Sequence, residues 1–502
     1  MRTVEGRTER VVVVGAGLSG LSAALHLAGR GRTVTVVERG AHPGGRVGRA
    51  DIGGYRLDTG PTVLTMPDII DDAFAAVGET LADRLDLIRV DPAYRASFAD
   101  GSALHVHSDG DAMAAEIERF AGAAQADGYR KMRAWLTKLY EVEFDGFIAA
   151  NFDSPLSLVT PQLARLAAIG GFRRWNKMVH RYITDERLAR VFTFQALYAG
   201  VPPHRALAVY AVIAYMDTIA GVYFPRGGMR ALPDALAAAA SDAGVEFRYS
   251  SPVSDLERSG DRVVAVRTES GDRIPADTVV LTTELPDTYR LLGRTPRRVL
   301  RLRPAPSAVV AHVGCRAPAV ETDHHTIIFG DQWEQTFTDI IDDGRVMADP
   351  SLLVTRPTAG DPSLAPPGRD LLYVLAPAPN LDVGQIDWAS TRDGYVAQMM
   401  DIVSDRLPQL GDDAEVLHVV DPADWARQGM AAGTPFALAH TFSQTGPFRP
   451  ANTVRGIANV VLAGSSTVPG VGVPTALLSG RLAADRITGL PSRRARTQVV
   501  SS

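Results

Sequence analysis

Chemistry in this sequence starts at residue 15. Gly15-Ala16-Gly17-Leu18-Ser19-Gly20 follows an apolar run, Arg10 to Val14, and precedes Leu21, Ala24, Leu25 and Leu27 at helical spacing. A second β-type run, Thr33 to Val37, ends in Glu38. Glycines spaced G-x-G-x-x-G inside such a βαβ unit suit a dinucleotide. Gly15 makes the tight turn, Gly17 lets backbone approach a pyrophosphate, and Gly20 lets the helix pack close to the strand. Free N–H groups at the helix N-terminus face the phosphate charge. Glu38, 18 residues past Gly20, stands where an acid accepts hydrogen bonds from an adenosine ribose.

Two more groups extend this site. Pro43-Gly44-Gly45-Arg46 and Asp58-Thr59-Gly60-Pro61-Thr62 follow the second β run. The doubled glycine admits close backbone approach, and Arg46 offers a rigid fork of donors. Near the other end, Gly464-Ser465-Ser466-Thr467-Val468-Pro469-Gly470-Val471-Gly472-Val473-Pro474 lies between a β run and a helix. A strand, a glycine turn and a helix N-terminus make an anion-friendly pocket suited to a flavin's N1/O2 edge. Asp217 is an acid inside an otherwise apolar stretch. It reads either as a proton acceptor or cation stabiliser beside a cofactor, or as a buried carboxylate paired to an arginine. The 11 histidines are scattered, and adjacent His324 and His325 would point to opposite faces of a strand, so no metal site is expected.

The elements that must position these residues alternate. Residues 115–220 read as mainly helical, with Met132, Trp135, Leu136, Leu139 and Tyr140 on one face. Strand runs follow at Glu246 to Tyr249, Arg262 to Thr268, Thr278 to Leu281, Ser307 to Val313, Leu371 to Leu375 and Val460 to Ala463, with a last helix from Thr475 to about Ile487. The apolar stretch Ala206 to Phe224 reads as a buried helix, because Asp217 within a bilayer would be costly. At 502 residues, 46% hydrophobic and 22% charged, the chain is neither disordered nor a rod. Net charge is -5, without the basic surplus of a nucleic-acid binder. A lone cysteine, Cys315, excludes a disulfide scaffold.

These segments together resemble the FAD-dependent amine-oxidase-like superfamily, and within it the bacterial-type phytoene (carotenoid) desaturases. Gly15 to Gly20 with Glu38, Gly44-Gly45-Arg46, Asp58-Thr59-Gly60-Pro61, Gly221-Val222-Tyr223-Phe224-Pro225-Arg226-Gly227-Gly228-Met229, Phe448-Arg449-Pro450 and Gly464 to Pro474 carry the likeness. There are two departures: Val468 stands where many members have histidine, and Thr283-Glu284-Leu285 where many have Asn-Ala-Asp.

The resemblance implies an α/β protein. A Rossmann-like FAD-binding domain would be assembled from residues 9–85, 225–295 and 455–490. An α+β substrate domain with a helical, membrane-facing lid would comprise 86–224 and 296–454, ahead of a disordered tail, 491–502. FAD would be non-covalent, held by Gly15, Gly17, Gly20, Glu38, Gly45, Arg46, Gly60, Pro61, Thr62, Val253, Gly464, Ser465, Gly472 and Val473. Val253 would meet the adenine end. The implied reaction removes a hydride and a proton from adjacent carbons of a lipophilic carotenoid, phytoene to a more conjugated product such as lycopene. A quinone or oxygen would reoxidise the cofactor, and Asp217 is the candidate catalytic residue. Rival readings are another carotenoid-type flavoenzyme (a later-pathway desaturase, isomerase or saturase), an amine oxidase, or a non-catalytic prenyl-binding escort protein.

A bilayer-borne substrate implies a cytoplasmic protein bound peripherally to a membrane. Between Ser154 and Thr184 there is no acid, while Arg165, Arg173, Arg174, Lys177 and Arg181 interleave with Leu158, Leu163, Leu166, Phe172, Trp175 and Met178. That pattern fits an interfacial helix, or a lid helix with a solvated basic face. Arg290 to Arg303, with six arginines and no acid, is a second candidate.

Overall fold

The valine run Arg10–Val14 forms β1, buried from Val11 onward. It sits inside a five-stranded parallel sheet with β2 (Thr33–Val37), β3 (Glu246–Arg248), β4 (Thr278–Leu281) and β5 (Val460–Leu462), in the order β5-β4-β1-β2-β3. Every neighbouring pair is parallel. Such a sheet is covered on both faces, so its central strands read as unbroken apolar runs. The computed structural model describes residues 1–318, 322–408 and 413–489. The expected tail, 491–502, lies outside them.

Helix α1 (Leu18–Ala28) follows β1, and α2 (Val473–Thr488) follows β5. The two cross at Gly480, where a Cβ would lie 2.2 Å from Ser19 O, and Ser22 Oγ donates to Leu477 O at 2.7 Å. The first and last helices are thus locked side by side on the sheet.

A second, seven-stranded sheet carries Glu415–Val420, Ser307–Arg316, Arg369–Ala378, Leu352–Thr355, His325–Ile328, Tyr94–Ser97 and Ala103–Val106, in that spatial order. Its pairs are antiparallel except His325–Ile328 with Tyr94–Ser97, which is parallel. Helix Trp388–Arg406 buries Trp388, Tyr395, Val396, Met399 and Val403 in the core that includes this sheet's Val309, Val313 and Val374.

The stretch Ala206 to Phe224 departs from the expected single helix. It makes a 3₁₀ turn at Ala208–Ala211, a helix at Val212–Thr218, and a strand at Val222–Pro225 that pairs with Leu87–Val90. Gly221, at φ +99°, turns the chain between them. Among the described residues no helix is long and apolar enough to cross a membrane.

Candidate functional site

The glycine turn after β1 is shaped by what a side chain would strike. Gly15 has φ +107°, and a Cβ there would lie 2.3 Å from Thr282 Oγ1. At Gly20 a Cβ would meet Gly15 O at 1.9 Å, so α1 starts in contact with the turn. Gly17 differs: its nearest neighbour would be Gly45 Cα at 3.9 Å, leaving a slot between two glycine loops. Gly44 N–H donates to Ala16 O at 2.9 Å and fixes the slot's width.

Glu38 closes this cradle. Its carboxylate accepts from Ala16 N–H and from Gly40 N–H, each at 2.7 Å. The sequence pointed Glu38 toward a ribose. Here the carboxylate first holds the turn, and each oxygen keeps a further lone pair for a hydroxyl. Arg46 pairs with Glu284, while its Nε is buried without a partner. One donor of the fork is therefore engaged and another is free for a ligand. The buried Asp58 carboxylate accepts from Met229 N–H at 2.9 Å and Arg230 N–H at 3.3 Å, and burial pushes its pKa up to about 7. That contact joins the Asp58–Pro61 motif to the Pro225–Met229 motif.

The terminal turn is held from behind. Gly464 N–H donates to Ser479 Oγ at 3.0 Å, and Gly472 is the N-terminal residue from which α2 begins. Arg449 reaches under the turn: Nε donates to Thr467 O at 2.8 Å and Nη2 to Ser465 O at 2.6 Å. Sequence reasoning quoted Arg449 within a motif but gave it no role. A lone arginine among uncharged residues, Phe442 to Val454, was the signal available.

Asp217 sits on helix Val212–Thr218, 4% exposed. Gln195 Nε2 lies 3.3 Å from both of its oxygens, and the Tyr94 hydroxyl is buried close by without a hydrogen bond of good geometry. Burial pushes the Asp217 carboxyl up to about 8. The arginine partner of the structural alternative is not what holds it; a neutral amide does.

All of the site residues named from the sequence, except Gly20, line one cavity of about 1010 Å³. That is at the upper end of ligand pockets, roughly 300–1,000 Å³. One end is the glycine cradle with Glu38 and Val253, where Val253 opens strand Val253–Ser259. The wall beyond is apolar: Leu163, Leu166, Val209, Ile213, Leu353 and Leu375. Two titratable groups that the sequence did not single out also line it. Burial holds Glu143 well above the carboxylate range, and His440 well below its ordinary value. Cys315 lies elsewhere, in the second sheet, with its thiol pushed up to about 11 by burial.

The cavity reaches the surface at Phe172 and Phe442, 42% and 60% exposed, near Leu156 and Val159 at 79% each. Residues 154–184, which the sequence allowed as an interfacial helix or a lid helix, do not form one continuous helix. They make a 3₁₀ turn at Pro155–Leu158 and short helices at Pro161–Ala168 and Trp175–Val179. Leu166, Trp175 and Met178 are buried in the core, so the apolar face that the spacing suggested points inward. Arg298 donates to Phe448 O, which brings the Arg290–Arg303 segment to this rim as well.

The comparisons agree with this geometry. The chain is 62% identical over 492 residues to a phytoene dehydrogenase of Streptomyces griseus, covering 97% of each. It is 37% identical to a zeta-carotene-forming phytoene desaturase of Myxococcus xanthus, covering 97% of this chain and 94% of the relative. An oxidoreductase structure from Methanosarcina mazei shares the fold, with a TM-score of 0.62 at 16% identity over 94% of this chain and 98% of that one. The model of the flavin containing amine oxidoreductases matches residues 18–488, from the start of α1 to the end of α2. Since that match covers most of the chain, including Glu38, the Gly44-Gly45-Arg46 loop and the buttressed turn, this chain is a member of the flavin-containing amine oxidoreductase family.

Proposed function

We propose that this protein is an FAD-dependent desaturase of a carotenoid, with phytoene as its substrate, and that residues 9–85, 225–295 and 455–490 make its FAD-binding part. Residues 86–224 and 296–454 make the substrate part. The observation that carries the reading is a single cavity that begins at a dinucleotide-type cradle and continues between apolar walls to an apolar rim. The 62% identity to a phytoene dehydrogenase supports the substrate class.

FAD when bound supplies a two-electron acceptor for hydride. Gly15, Gly17, Glu38 and Val253 would hold its adenosine and pyrophosphate end. Gly45, Arg46, Gly60, Pro61, Thr62, Gly464, Ser465, Gly472 and Val473 would hold the rest. Cys315 is outside the cavity lining, which favours a non-covalent cofactor. The apolar walls exclude water and hold a long chain in register. Asp217 takes the proton that leaves the neighbouring carbon. Its raised pKa, about 8, puts proton exchange near neutral pH, where general acid–base groups work best. A quinone or oxygen reoxidises the cofactor. The exposed apolar rim supports peripheral docking on a membrane, the source of so insoluble a substrate.

The test is incubation of FAD-loaded protein with phytoene in liposomes, with both oxygen and a quinone supplied. Absorbance should move to longer wavelength as conjugation grows. Recovery of unchanged phytoene under both acceptors would overturn the reading.

A further inference from the structure

Among the described residues two arginine side chains are wholly buried, and they are held differently. Arg486, 0% exposed, meets the Asp153 carboxylate. Arg449, 1% exposed, meets no carboxylate among the described residues. Its acceptors are four backbone carbonyls: Thr467 O at 2.8 Å, Ser465 O at 2.6 Å, Gln444 O at 3.3 Å and Leu438 O at 3.4 Å. Carbonyl dipoles solvate a guanidinium, but they do not cancel its charge.

Burial pushes the titratable groups facing it toward their neutral forms. The Tyr210 hydroxyl is bonded to Thr445 Oγ1 at 2.5 Å, and burial pushes it up to about 12. The His440 imidazole, edge-on to Tyr210 with centroids 6.0 Å apart, is held uncharged by burial and by Arg449 itself. Burial pushes the carboxyl of Glu143, also near Tyr210, well above its ordinary value, toward the neutral form. Arg449 is pulled down only to about 10 and stays a cation at neutral pH. Buried charges are ordinarily paired, and in a low-dielectric interior an unpaired one acts over a longer range than in water. Two of the carbonyls it grips belong to the Gly464–Pro474 turn, whose other side lines the cavity.

We propose that Arg449 is an electrostatic positioning residue for the flavin: its uncancelled charge, directly behind Ser465 and Thr467, is the counter-charge for the reduced cofactor and raises its reduction potential. This deepens the reading above and rests on it. A hydride leaving the substrate carries two electrons to the oxidised, neutral ring and leaves one net negative charge there. Arg449 offsets that charge without a second proton having to be taken up.

The experiment measures the midpoint potential of the bound flavin in wild type, Arg449→Lys and Arg449→Gln, along with flavin content and thermal stability. Lysine keeps the charge and loses the fork; glutamine loses both. Both variants should be less stable than wild type, but only Arg449→Gln should move the potential clearly negative. In wild type the potential should follow pH around neutrality with one proton per two electrons, a reading that needs no variant to fold. Wild type that takes up two protons per two electrons overturns the inference. So does flavin-bearing Arg449→Gln protein with an unchanged potential, or equal shifts in both variants. Wild type that binds no flavin overturns instead the reading beneath it.

Discussion

The Glu284 carboxylate accepts from the Arg46 guanidinium across 238 residues of chain, joining the glycine loop after β2 to the loop after β4. Both side chains line the cavity and are largely buried, at 24% and 18% exposure. Glu284 lies where the sequence departs from Asn-Ala-Asp, so the pair is a feature of this chain's own lining. If Arg46 also serves the cofactor, the two roles compete. Arg46→Ala should weaken flavin binding by about tenfold, the loss of one charge-assisted hydrogen bond. Glu284→Gln should tighten it by freeing the fork. Fluorescence titration of deflavinated protein with FAD measures both, and weaker binding in Glu284→Gln would show the pair to be part of the cofactor site.

Asp217→Asn should fold, bind FAD and lose most desaturation. Wild-type turnover should rise with pH, reach half its limit near 8, where half the carboxyl is ionised, and level off only above that. Stability runs the other way. The folded state holds the Asp217 proton up to about 8 while the unfolded chain releases it near the ordinary aspartate value of 3.8, so stability falls as pH rises between them. Asp217→Asn removes that loss and should exceed wild type in stability by on the order of 5 kcal/mol at pH 8, with little difference at low pH. Paired thermal denaturation at the two extremes, with pH–rate profiles, checks both signs. A pH-independent rate in wild type would remove Asp217 from the proton transfer.

The cavity rim should be the membrane contact. Leu156, Val159 and Phe442 changed together to Glu should abolish flotation with neutral and anionic liposomes alike. Arg173, Arg174 and Lys177 changed to Glu should weaken flotation only on anionic ones, by about 1 kcal/mol per basic residue. An apolar triple variant that floats like wild type would place the contact elsewhere.

What could be read beforehand follows from the range of the forces involved. β1, β2 and β4 stand where valine-rich runs placed them, because central strands of a parallel sheet are apolar on both faces. The cradle was legible because Gly15 and Gly20 answer to contacts within six residues or one neighbouring strand. The partner of Tyr94–Ser97 was not, since its parallel pairing with His325–Ile328 spans more than 200 residues and leaves no local trace. Residues 154–184 misled because apolar spacing reports that a face is buried, not against what. Trp175 turned out to face the core, its indole N–H on Phe192 O at 3.1 Å. The position of Arg449 as a lone charge was legible, but its role was not, because its partners are backbone carbonyls, which every sequence possesses.

The order of strands in the first sheet sets a timetable for the protein's synthesis. β1 pairs with β2 almost at once, but its other neighbour, β4, lies 264 or more residues later, and β5 closes the sheet only at Val460–Leu462. At roughly 5–20 residues per second, some 20–90 s separate the emergence of Gly20 from that of Val473. Until β4 emerges the open edge of β1 presents unpaired valine-rich backbone, and from then until β5 emerges the edge of β4 does, each a template for pairing with another nascent chain. Flavin capture is consequently a late event, and a chain halted even a few dozen residues early would carry a finished cradle at one end, no ring-side turn at the other, and a sticky edge between them.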